Sequence, residues 1–559
     1  MRAAVLVALL AFAPPPADPV EEFRDRVRQS RAEEARFFGD AQSRFSDALR
    51  HFVLPWERGH SDPSAPQDAS WDYEPFLKLY GDYLAVVEPR AAAAERLAAS
   101  GDPRAAGVLF AELLEVAADA DEAEAALAKN MPHVGQQMCD QRPGIHRHGL
   151  GRLQRRLVPA LARCPGGAAF LAGEGWKRAV AADARASILR RTGVIDALGL
   201  AGDAAAVPFL AKQAESKSAV LRIAALEALL RRGPGGTAVL APLLEDPCPP
   251  VRYALLQDLR ALEKPDPRWI RLLVEGYPAA AGRPRWETFA TLRALTRAPV
   301  ADDPGKWKEW LRDNAAAVDG GTFVPPAAAG SPSTAEEGGV AFYGARAATR
   351  SFLYVVDGSF ILRLPADVEI QRTRHVMRWP VRPRSTWEDP PIVQHAVLVK
   401  QLRKSLDALP ADARFGLLAL YGKEEAFPLD DGRMLKASPG ATAAAVKFAE
   451  GLDQVGFCSV YEGLRAALGA AGLDPEAGAE DFPAVRADTA LLVHGGGPYG
   501  GRFVTAEPVV EAFGRLNRFR RLLVHGIRIS NQKVQAEAVL KGIAEASGGT
   551  YHWQAVPPP

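Results

Sequence analysis

The sequence predicts a multidomain protein in which an all-α part, a helical module and then a helical solenoid, precedes a doubly wound α/β domain with a mainly parallel sheet. Three observations support this prediction. Apolar residues recur at helical spacing through the first part of the chain. A segment resembling itself at a spacing of about thirty residues follows. Short apolar runs then alternate with helical segments up to the carboxyl end.

The composition limits the classes of function. The chain has 559 residues, too many for one hydrophobic core, and hydrophobic residues make up 48% of it. Lys and Arg total 68 against 67 Asp and Glu, so there is no global attraction to polyanions and we expect no nucleic-acid partner. No stretch approaches the roughly twenty apolar residues of a membrane span, so we expect no transmembrane segment.

The amino terminus has the pattern of an export signal. Arg2 precedes the apolar run Ala3–Phe12, which is too short to cross a bilayer. Small residues follow it, so we expect cleavage after Ala13 or near Ala17, with a leader that stays attached as the alternative. We therefore assign residues 1–17 to a signal peptide and expect the protein to be exported, either periplasmic or secreted.

The four cysteines are too few for a disulfide framework. Cys139 and Cys164 are the nearest pair, and the sequence leaves their pairing open. Cys139 with His146 and His148 has metal-capable side chains but no standard ligand spacing, so we interpret this group as a chance cluster.

Residues 18–180 are expected to form the helical module. Apolar residues recur at helical spacing between Asp18 and Phe52, and two further helices are predicted at Pro75–Ala99 and Pro103–Lys129. A packed helical unit used for contact is the expectation.

Residues 181–315 contain the internal repeat. Leu221–Leu229 (LRIAALEAL) resembles Val251–Leu259 (VRYALLQDL), and a weaker copy begins at Val194. Helix pairs of this length bury their apolar faces only by stacking on one another. The pattern is similar to HEAT repeats, in which a Val/Leu-Arg pair opens the second helix; an irregular helical bundle is the alternative. Residues 316–340, rich in Gly, Pro, Ala and Ser, are expected to be a flexible linker.

Residues 341–559 carry the strand-helix alternation. Such alternation implies a mainly parallel sheet covered on both faces, whose ligands bind at the carboxyl ends of the strands. The predicted strands are Phe352–Val356, Phe415–Leu420, Ala490–Val493 and Leu522–Ile529, and the predicted helices are Val393–Leu409, Thr442–Leu452, Val460–Ala470, Ala506–Arg515 and Gln532–Ala546.

The segment Phe352–Ser359 (FLYVVDGS) resembles the first strand and metal loop of von Willebrand factor A (VWA) domains, whose α/β architecture is Rossmann-like. In that family the loop Asp-x-Ser-x-Ser binds Mg²⁺ or Mn²⁺ through oxygen ligands, and a carboxylate of the partner completes the coordination. With its HEAT-like repeats the chain resembles VWA proteins of the exported bacterial type. Four further segments match the family in order: Leu406–Phe415, Gly456–Leu464, Leu491–Gly495 and Ile543–Tyr551.

The metal motif departs from the family pattern at three of its five positions. Asp357 and Ser359 match it, but Ile361 stands where the family has serine, Cys458 where it has threonine and His494 where it has aspartate. Two hard oxygen ligands do not make a magnesium site. The resemblance therefore implies a vestigial ligand site at which no metal is expected, with Asp357 and Ser359 as residual candidates.

Several alternatives stay open at this site. A slipped alignment would let Ser459 replace the threonine, with Glu462 one turn further on. Asp357, Cys458 and His494 together would suit zinc, or would supply the orienting acid, nucleophile and base of a hydrolase. We expect instead an inert cysteine and a hydrogen-bonded histidine.

An insertion after the vestigial loop is rich in arginine and tryptophan and contains five arginines without an acid between residues 372 and 384. These residue types are enriched at binding hot spots, so we interpret it as a partner-binding loop for an acidic peptide or polyanion. A solvated surface loop is the alternative. The residues are Arg372, Arg374, Arg378, Trp379, Arg382, Arg384 and Trp387.

No phosphate-binding loop, metalloprotease helix or nucleophile elbow occurs in the sequence, so we expect no cofactor and no enzymatic activity. The sequence thus predicts an exported, non-catalytic protein–protein interaction or scaffold protein with an unidentified partner. A metal-dependent VWA domain that binds its ligand through an atypical Zn²⁺ or Mg²⁺ is the alternative, and a Cys458/His494 hydrolase is the third hypothesis. The oligomeric state does not follow from the sequence.

Overall fold

The structure, a computed structural model, leaves the predicted signal peptide outside the residues that it describes. Within the described part of the chain, no helix combines the length and apolarity that crossing a membrane requires. The described residues are 18–61, 68–72, 74–129, 142–181, 184–233, 237–279, 282–326, 340–358, 371–373, 376–380, 393–421, 423–426, 434–452, 459–474, 479–495, 503, 505–529 and 536–553.

The amino-terminal module is built from long helices packed side by side, as its apolar spacing predicts. Leu109, Phe110 and Leu157 are completely buried in this packing. A short strand, β1 (Asp68–Asp72), interrupts the helices, so the prediction of an all-α module is wrong at this segment. The helices are α1 (Pro19–Ser61), α2 (Glu74–Ala99), α3 (Ala105–Lys129), α4 (Arg142–Arg163), α5 (Gly167–Phe170) and α6 (Trp176–Val180).

Shorter helices follow where the sequence predicts repeats. They are α7 (Ala184–Leu200), α8 (Ala206–Ala214), α9 (Ala219–Arg231), α10 (Thr237–Leu240), α11 (Pro249–Ala261), α12 (Arg268–Glu275), α13 (Arg283–Thr296) and α14 (Pro304–Asp319). The three copies of the motif fall on α7, α9 and α11, and each of these helices packs on the next. Arg222 donates to Ser216 O at 2.8 Å, and the equivalent Arg252 donates to Asp246 O. In each copy the arginine bonds to the main-chain oxygen six residues before it, so the copies share a structure as well as a sequence pattern.

The predicted linker begins as ordered chain. Helix α14 extends to Asp319 because Val318 continues its buried face. Beyond the helix, the ring of Phe323 packs edge-on against Trp310, with centroids 5.4 Å apart. Residues 327–339, which hold most of the Gly- and Pro-rich stretch, lie outside the described residues.

The carboxyl-terminal part is an α/β domain, which confirms the coarse prediction of a helical region followed by an α/β domain. Its described strands form a seven-stranded sheet in the order β12-β11-β10-β4-β7-β8, with β9 paired to β7. The strands from β12 to β7 are parallel, and β8 and β9 are antiparallel at one edge. The elements are β2 (Val340–Phe342), β3 (Ala345–Ala347), β4 (Ser351–Asp357), β5 (Gln371–Thr373), β6 (Val376–Pro380), α15 (Val393–Asp407), β7 (Arg414–Tyr421), β8 (Lys423–Ala426), β9 (Leu435–Lys436), α16 (Pro439–Glu450), α17 (Val460–Ala470), β10 (Thr489–His494), α18 (Ala506–Asn517), β11 (Leu523–Arg528), α19 (Ala536–Ser547) and β12 (Tyr551–Trp553).

Both faces of this sheet are covered, as near-continuous apolar strands require. Helices α15 and α16 cover one face, and α17, α18 and α19 cover the other. Gly463 allows α17 to approach closely at the carboxyl end of β7, since a Cβ there would lie 2.4 Å from Leu420 Cδ1. The core on the α17–α19 face is continuous with the core of the helical repeats.

The helical repeats contact the amino edge of the sheet. Arg518 and Arg521, which lie between α18 and β11, reach three acidic residues. These acidic residues recur once per repeat on α7, α9 and α11. Arg518 contacts Asp196 at 2.6 Å, and Arg521 contacts Glu227 at 2.6 Å and Asp258 at 3.3 Å. We call Asp196, Glu227 and Asp258 the acidic ladder. The repeats thus lie at the edge opposite to the carboxyl ends of the strands.

Candidate carboxyl-edge site

Four neighbouring strands end in one row of side chains at the carboxyl edge of the sheet. His494 of β10 is opposite Arg528 of β11, and Arg528 is opposite Trp553 of β12. On the other side, the register of β10 against β4 brings His494 beside Asp357. Because side chains alternate along a strand, all four project from the face that α17–α19 cover. We call Asp357, His494, Arg528 and Trp553 the carboxyl-edge row.

Asp357 and His494 are in direct contact at the centre of this row. His494 Nδ1 lies 2.6 Å from Asp357 Oδ2, and both side chains are 0% exposed. The Gly495 N–H donates to the same carboxylate oxygen at 3.0 Å. A buried carboxylate without such partners would cost several kcal/mol, so these contacts allow Asp357 to stay in the core.

This arrangement does not resemble a magnesium site. Mg²⁺ requires near-octahedral oxygen ligands, and within the carboxyl-edge row Asp357 alone offers a carboxylate. An imidazole fills the position where the VWA resemblance implies a second carboxylate, and a guanidinium follows on the next strand. In the described part of the site, protein groups therefore bind the Asp357 carboxylate, which is not presented to a cation.

The remaining predicted positions differ in what the structure shows. Ser359, Ile361 and Cys458 lie outside the described residues. Ser459, the alternative ligand in a slipped alignment, is the N-cap of α17, and its hydroxyl accepts the Glu462 N–H at 3.4 Å. Glu462 is buried and lies 3.8 Å from Arg465. Ser459 thus has a capping role that the sequence alone did not reveal.

Arg528 and Trp553 are the members of the row that sequence reasoning missed. Arg528 is almost fully buried, forms an ion pair with Glu537 at 2.9 Å and lies over the Trp553 ring at 5.3 Å from its centroid. Trp553 is 52% exposed, one of the few large apolar side chains that face solvent among the described residues. The available signal was an arginine at the end of a mostly apolar strand, followed by a tryptophan on the edge strand.

The arginine-tryptophan insertion forms strands where the sequence predicts a loop. β5 and β6 pair as a hairpin, and β1 of the amino-terminal module joins the other edge of β6, with Ser70 opposite Arg378 and Ala69 opposite Trp379. The loop prediction is wrong here because a pairing partner about 300 residues away is invisible to local sequence pattern. Arg372 lies on β5; Arg374, Arg382, Arg384 and Trp387 lie outside the described residues.

The other metal-capable residues of the sequence face different partners. His146 contacts Glu34 at 2.9 Å, whereas His148 contacts Glu511 at 3.1 Å. Cys139 lies outside the described residues. Cys164 is a buried thiol, as is Cys248, and burial raises the pKa of each to about 11, which makes both poor nucleophiles at neutral pH.

No family model matches the sequence, and no curated protein matches it. Among solved structures, the chain is similar to a von Willebrand factor type A from Catenulispora acidiphila, with 16% sequence identity and a TM-score of 0.26. The similarity covers 38% of this chain and 40% of that chain.

Proposed function

We propose that the chain is an exported, non-catalytic binding protein whose VWA-type domain engages a protein partner at the carboxyl edge of its sheet without a divalent cation. The carboxyl-edge row carries this proposal. Its only carboxylate is tied to His494 and the Gly495 N–H, while an exposed tryptophan and a buried arginine occupy the adjoining strand ends. The row therefore offers recognition groups but no magnesium ligand set.

Trp553 and Arg528 give this edge the character of a binding hot spot. Tryptophan and arginine supply large contact area and directional donors, and both are enriched at the centres of interfaces. Arg528 is buried against the Trp553 ring and its charge is balanced by Glu537, so it supports the exposed ring from beneath. The arginine-tryptophan insertion is a second proposed contact, and its excess of arginine favours an acidic partner.

The HEAT-like repeats support a scaffold role in this proposal. Through the acidic ladder they hold the α/β domain by the amino edge of its sheet. A domain held at that edge can present its opposite edge, at which α/β sheets bind their ligands. The solenoid then acts as a rigid support for the binding site.

A capture experiment with the full chain tests the proposal. The immobilised protein is incubated with the exported proteins of its source organism, in parallel with Mg²⁺ and with excess EDTA. We expect a partner to bind equally in both, and Trp553→Ala to weaken binding at least tenfold, about 1.4 kcal/mol. Leu200→Ala is the matched control, because Leu200 is similarly exposed, at 47%, but lies on the helical repeats. Binding that requires Mg²⁺, or that Trp553→Ala leaves unchanged, contradicts the proposal.

One observation favours a second candidate, a thiol hydrolase. The Asp357–His494 contact brings together the orienting acid and the base of the trio that the sequence proposes with Cys458. The complete burial of both side chains argues against it, because a substrate has to reach the base. Labelling of the folded protein with a thiol-reactive probe decides the matter: selective modification of Cys458, lost in His494→Ala, supports the hydrolase.

A further inference from the structure

Strand β1 of the amino-terminal module completes a sheet that begins in the α/β domain. β5 and β6 form a hairpin, and β1 pairs antiparallel with the other edge of β6 along five residues, from Asp68 opposite Pro380 to Asp72 opposite Val376. A hairpin of two strands is marginally stable in water, and a third strand is needed for independent stability. β1 therefore supplies the strand that the hairpin lacks, although it comes from a different module.

The segment that contains β1 is acidic, whereas the insertion that contains β5 and β6 is basic. Between Arg58 and Lys78 the sequence has four acidic residues and no Lys or Arg. The insertion has five arginines and no acid between residues 372 and 384. The kind of segment that the arginine-rich insertion favours, an acidic peptide, is thus present in the same chain and is paired with it. The four acidic residues are Asp62, Asp68, Asp72 and Glu74.

The register of β1 against β6 also brings the charged positions together. Ser70 is opposite Arg378, and positions two apart on a strand share one face of the sheet. Asp68 and Asp72 therefore occupy the two positions diagonal to Arg378 on the same face. Diagonal positions of an antiparallel pair are roughly 7–8 Å apart, within reach of long side chains. A shift by one residue would move both aspartates to the opposite face, so charge complementarity favours the observed register.

Other contacts hold the amino-terminal module against the α/β domain without β1. On α4, Arg155 contacts Glu511 of α18 at 3.0 Å, and His148 contacts the same glutamate at 3.1 Å. Separation of β1 from β6 would therefore leave the two modules joined. It would also expose the edge of β6, whose main-chain N–H and C=O groups are a template for another strand.

We propose that β1 is an internal occupant of a strand-binding site on β6, and that an extended acidic segment of the partner replaces it there. The inference rests on the partner contact proposed for the arginine-tryptophan insertion, but it does not depend on Trp553. Main-chain bonds to β6 would supply affinity, and the arginines would select acidic segments. Because β1 is tethered to the site, it competes at an effective concentration on the order of mM. The strand thus excludes weak or uncharged segments.

A peptide with the sequence of residues 66–74 (PQDASWDYE) is the probe, and fluorescence anisotropy of an attached dye follows its binding to the full chain. We expect weak binding to the wild type, because β1 occupies the site. Ala69→Pro combined with Ser70→Pro is expected to bind the peptide at least tenfold more tightly. Successive main-chain amides point to opposite edges of a strand, so one of these two prolines removes an N–H that faces β6.

A second variant leaves the backbone of β1 unchanged. Asp68→Asn combined with Asp72→Asn removes the charge complementarity, so we expect this variant also to bind the peptide more tightly than the wild type does. Glu21→Gln combined with Asp25→Asn is the matched control, because it removes two exposed acidic groups from helix α1 of the same module. We expect the control to bind the peptide as weakly as the wild type does.

The chemistry of the site is tested in the proline variant. A peptide with lysine in place of both aspartates is expected to bind at least tenfold more weakly than the original peptide, and Arg378→Gln is expected to weaken binding of the original peptide. Circular dichroism of the helices verifies that each variant is folded. If the proline variant does not fold, the Asp68→Asn, Asp72→Asn variant takes its place.

Three results would overturn the site. They are the absence of peptide binding to the folded β1 variants, equal peptide binding by the wild type and the β1 variants, and equal binding of the aspartate and lysine peptides. Trp553→Ala is expected to bind the peptide as the wild type does. Failure of the peptide experiment is therefore distinguishable from failure of the function proposed for the carboxyl-edge row.

Discussion

Asp357 is a buried carboxylate at the end of a central strand, and its environment determines what the carboxyl edge can do. In an apolar core an ionised aspartate is stable only when protein groups replace its water. Here His494 on the neighbouring strand and the Gly495 N–H occupy one of its oxygens. Asp357 is thus stabilised by protein groups, which removes the need for a cation.

We expect His494→Ala to destabilise the protein by about 3 kcal/mol or more, since it leaves the Asp357 carboxylate buried without its main partner. Asp357→Asn combined with His494→Ala is expected to cost less than the sum of the two single changes, because the partners act as a unit. Denaturant unfolding of the four proteins measures this coupling. His525→Ala is the control, since His525 is also buried on an adjacent strand but bonds to the Thr550 hydroxyl. A coupling free energy near zero would show that the Asp357–His494 contact does not contribute to stability.

Among the elements, successive helical repeats are joined by a buried ion pair between Arg222 and Asp246. Arg222 on α9 binds both oxygens of Asp246 in the turn before α11, at 2.7 and 2.9 Å. Asp246 also accepts the Cys248 N–H at 2.8 Å, and its side chain is 4% exposed. Apolar contacts between two repeats are not directional. This directional ion pair therefore fixes their spacing.

We expect Arg222→Ala to cost about 3–5 kcal/mol, because Asp246 remains buried with its charge uncompensated. Arg312→Ala removes an exposed pair with Asp313 and is expected to cost less than about 1 kcal/mol. The midpoint of urea unfolding, followed by the far-ultraviolet signal of the helices, compares the two. Equal midpoints for the two variants would mean that the Arg222 pair contributes no more than a surface pair.

At the scale of the whole molecule, the acidic ladder joins the repeats to the α/β domain. Arg518 is shared between Asp196 and Glu227, and Arg521 between Glu227 and Asp258. Further along the junction, Arg283 donates to the main-chain oxygen of Asp488 at the start of β10. Because these contacts come from three successive repeats, they fix the orientation of the α/β domain as well as its distance.

The junction also predicts a dependence of stability on pH. Burial raises the pKa of Asp258 to about 6, Glu227 contributes to that rise and Arg521 opposes it. A carboxyl group whose pKa is raised in the folded state stabilises the fold below its unfolded pKa, and this contribution is lost as the pH rises through 6. Between pH 7 and pH 5 we therefore expect the wild type to gain about 1 kcal/mol relative to Asp258→Asn. Chemical unfolding of both proteins at the two pH values checks this, and parallel pH profiles would refute it.

The sequence predicted the parts that depend on local pattern. The apolar run at Phe352–Val356 became β4, and α17 begins and ends at the predicted residues, because buried strands and amphipathic helices are visible in periodicity. The resemblance placed Asp357 near His494, and the structure brings them together. Contacts between distant segments were not predictable. The acidic ladder looks like an ordinary solvated helix face, and the pairing of β1 with β6 has no local signal.

The contacts between α4 and α18 could not be found from the sequence for the same reason. Arg515 and Gly151 are 364 positions apart and belong to ordinary helical segments. Only the packing of α4 against α18 shows that the glycine faces a guanidinium. Trp553 was also not predicted as a site residue, since its exposure at the end of β12 depends on where that strand joins the sheet.

The most direct test of metal-free binding is thermal unfolding of the full chain with Mg²⁺, Mn²⁺ and Zn²⁺, each compared with EDTA. A ligand that binds only the native state raises the melting temperature as its concentration increases. We predict no such rise for the wild type, and a Mg²⁺-dependent rise for a variant that combines Ile361→Ser, Cys458→Thr and His494→Asp and so supplies the ligands that the VWA resemblance implies. A saturable rise with any of the three ions in the wild type, lost in Asp357→Asn, would contradict metal-free binding.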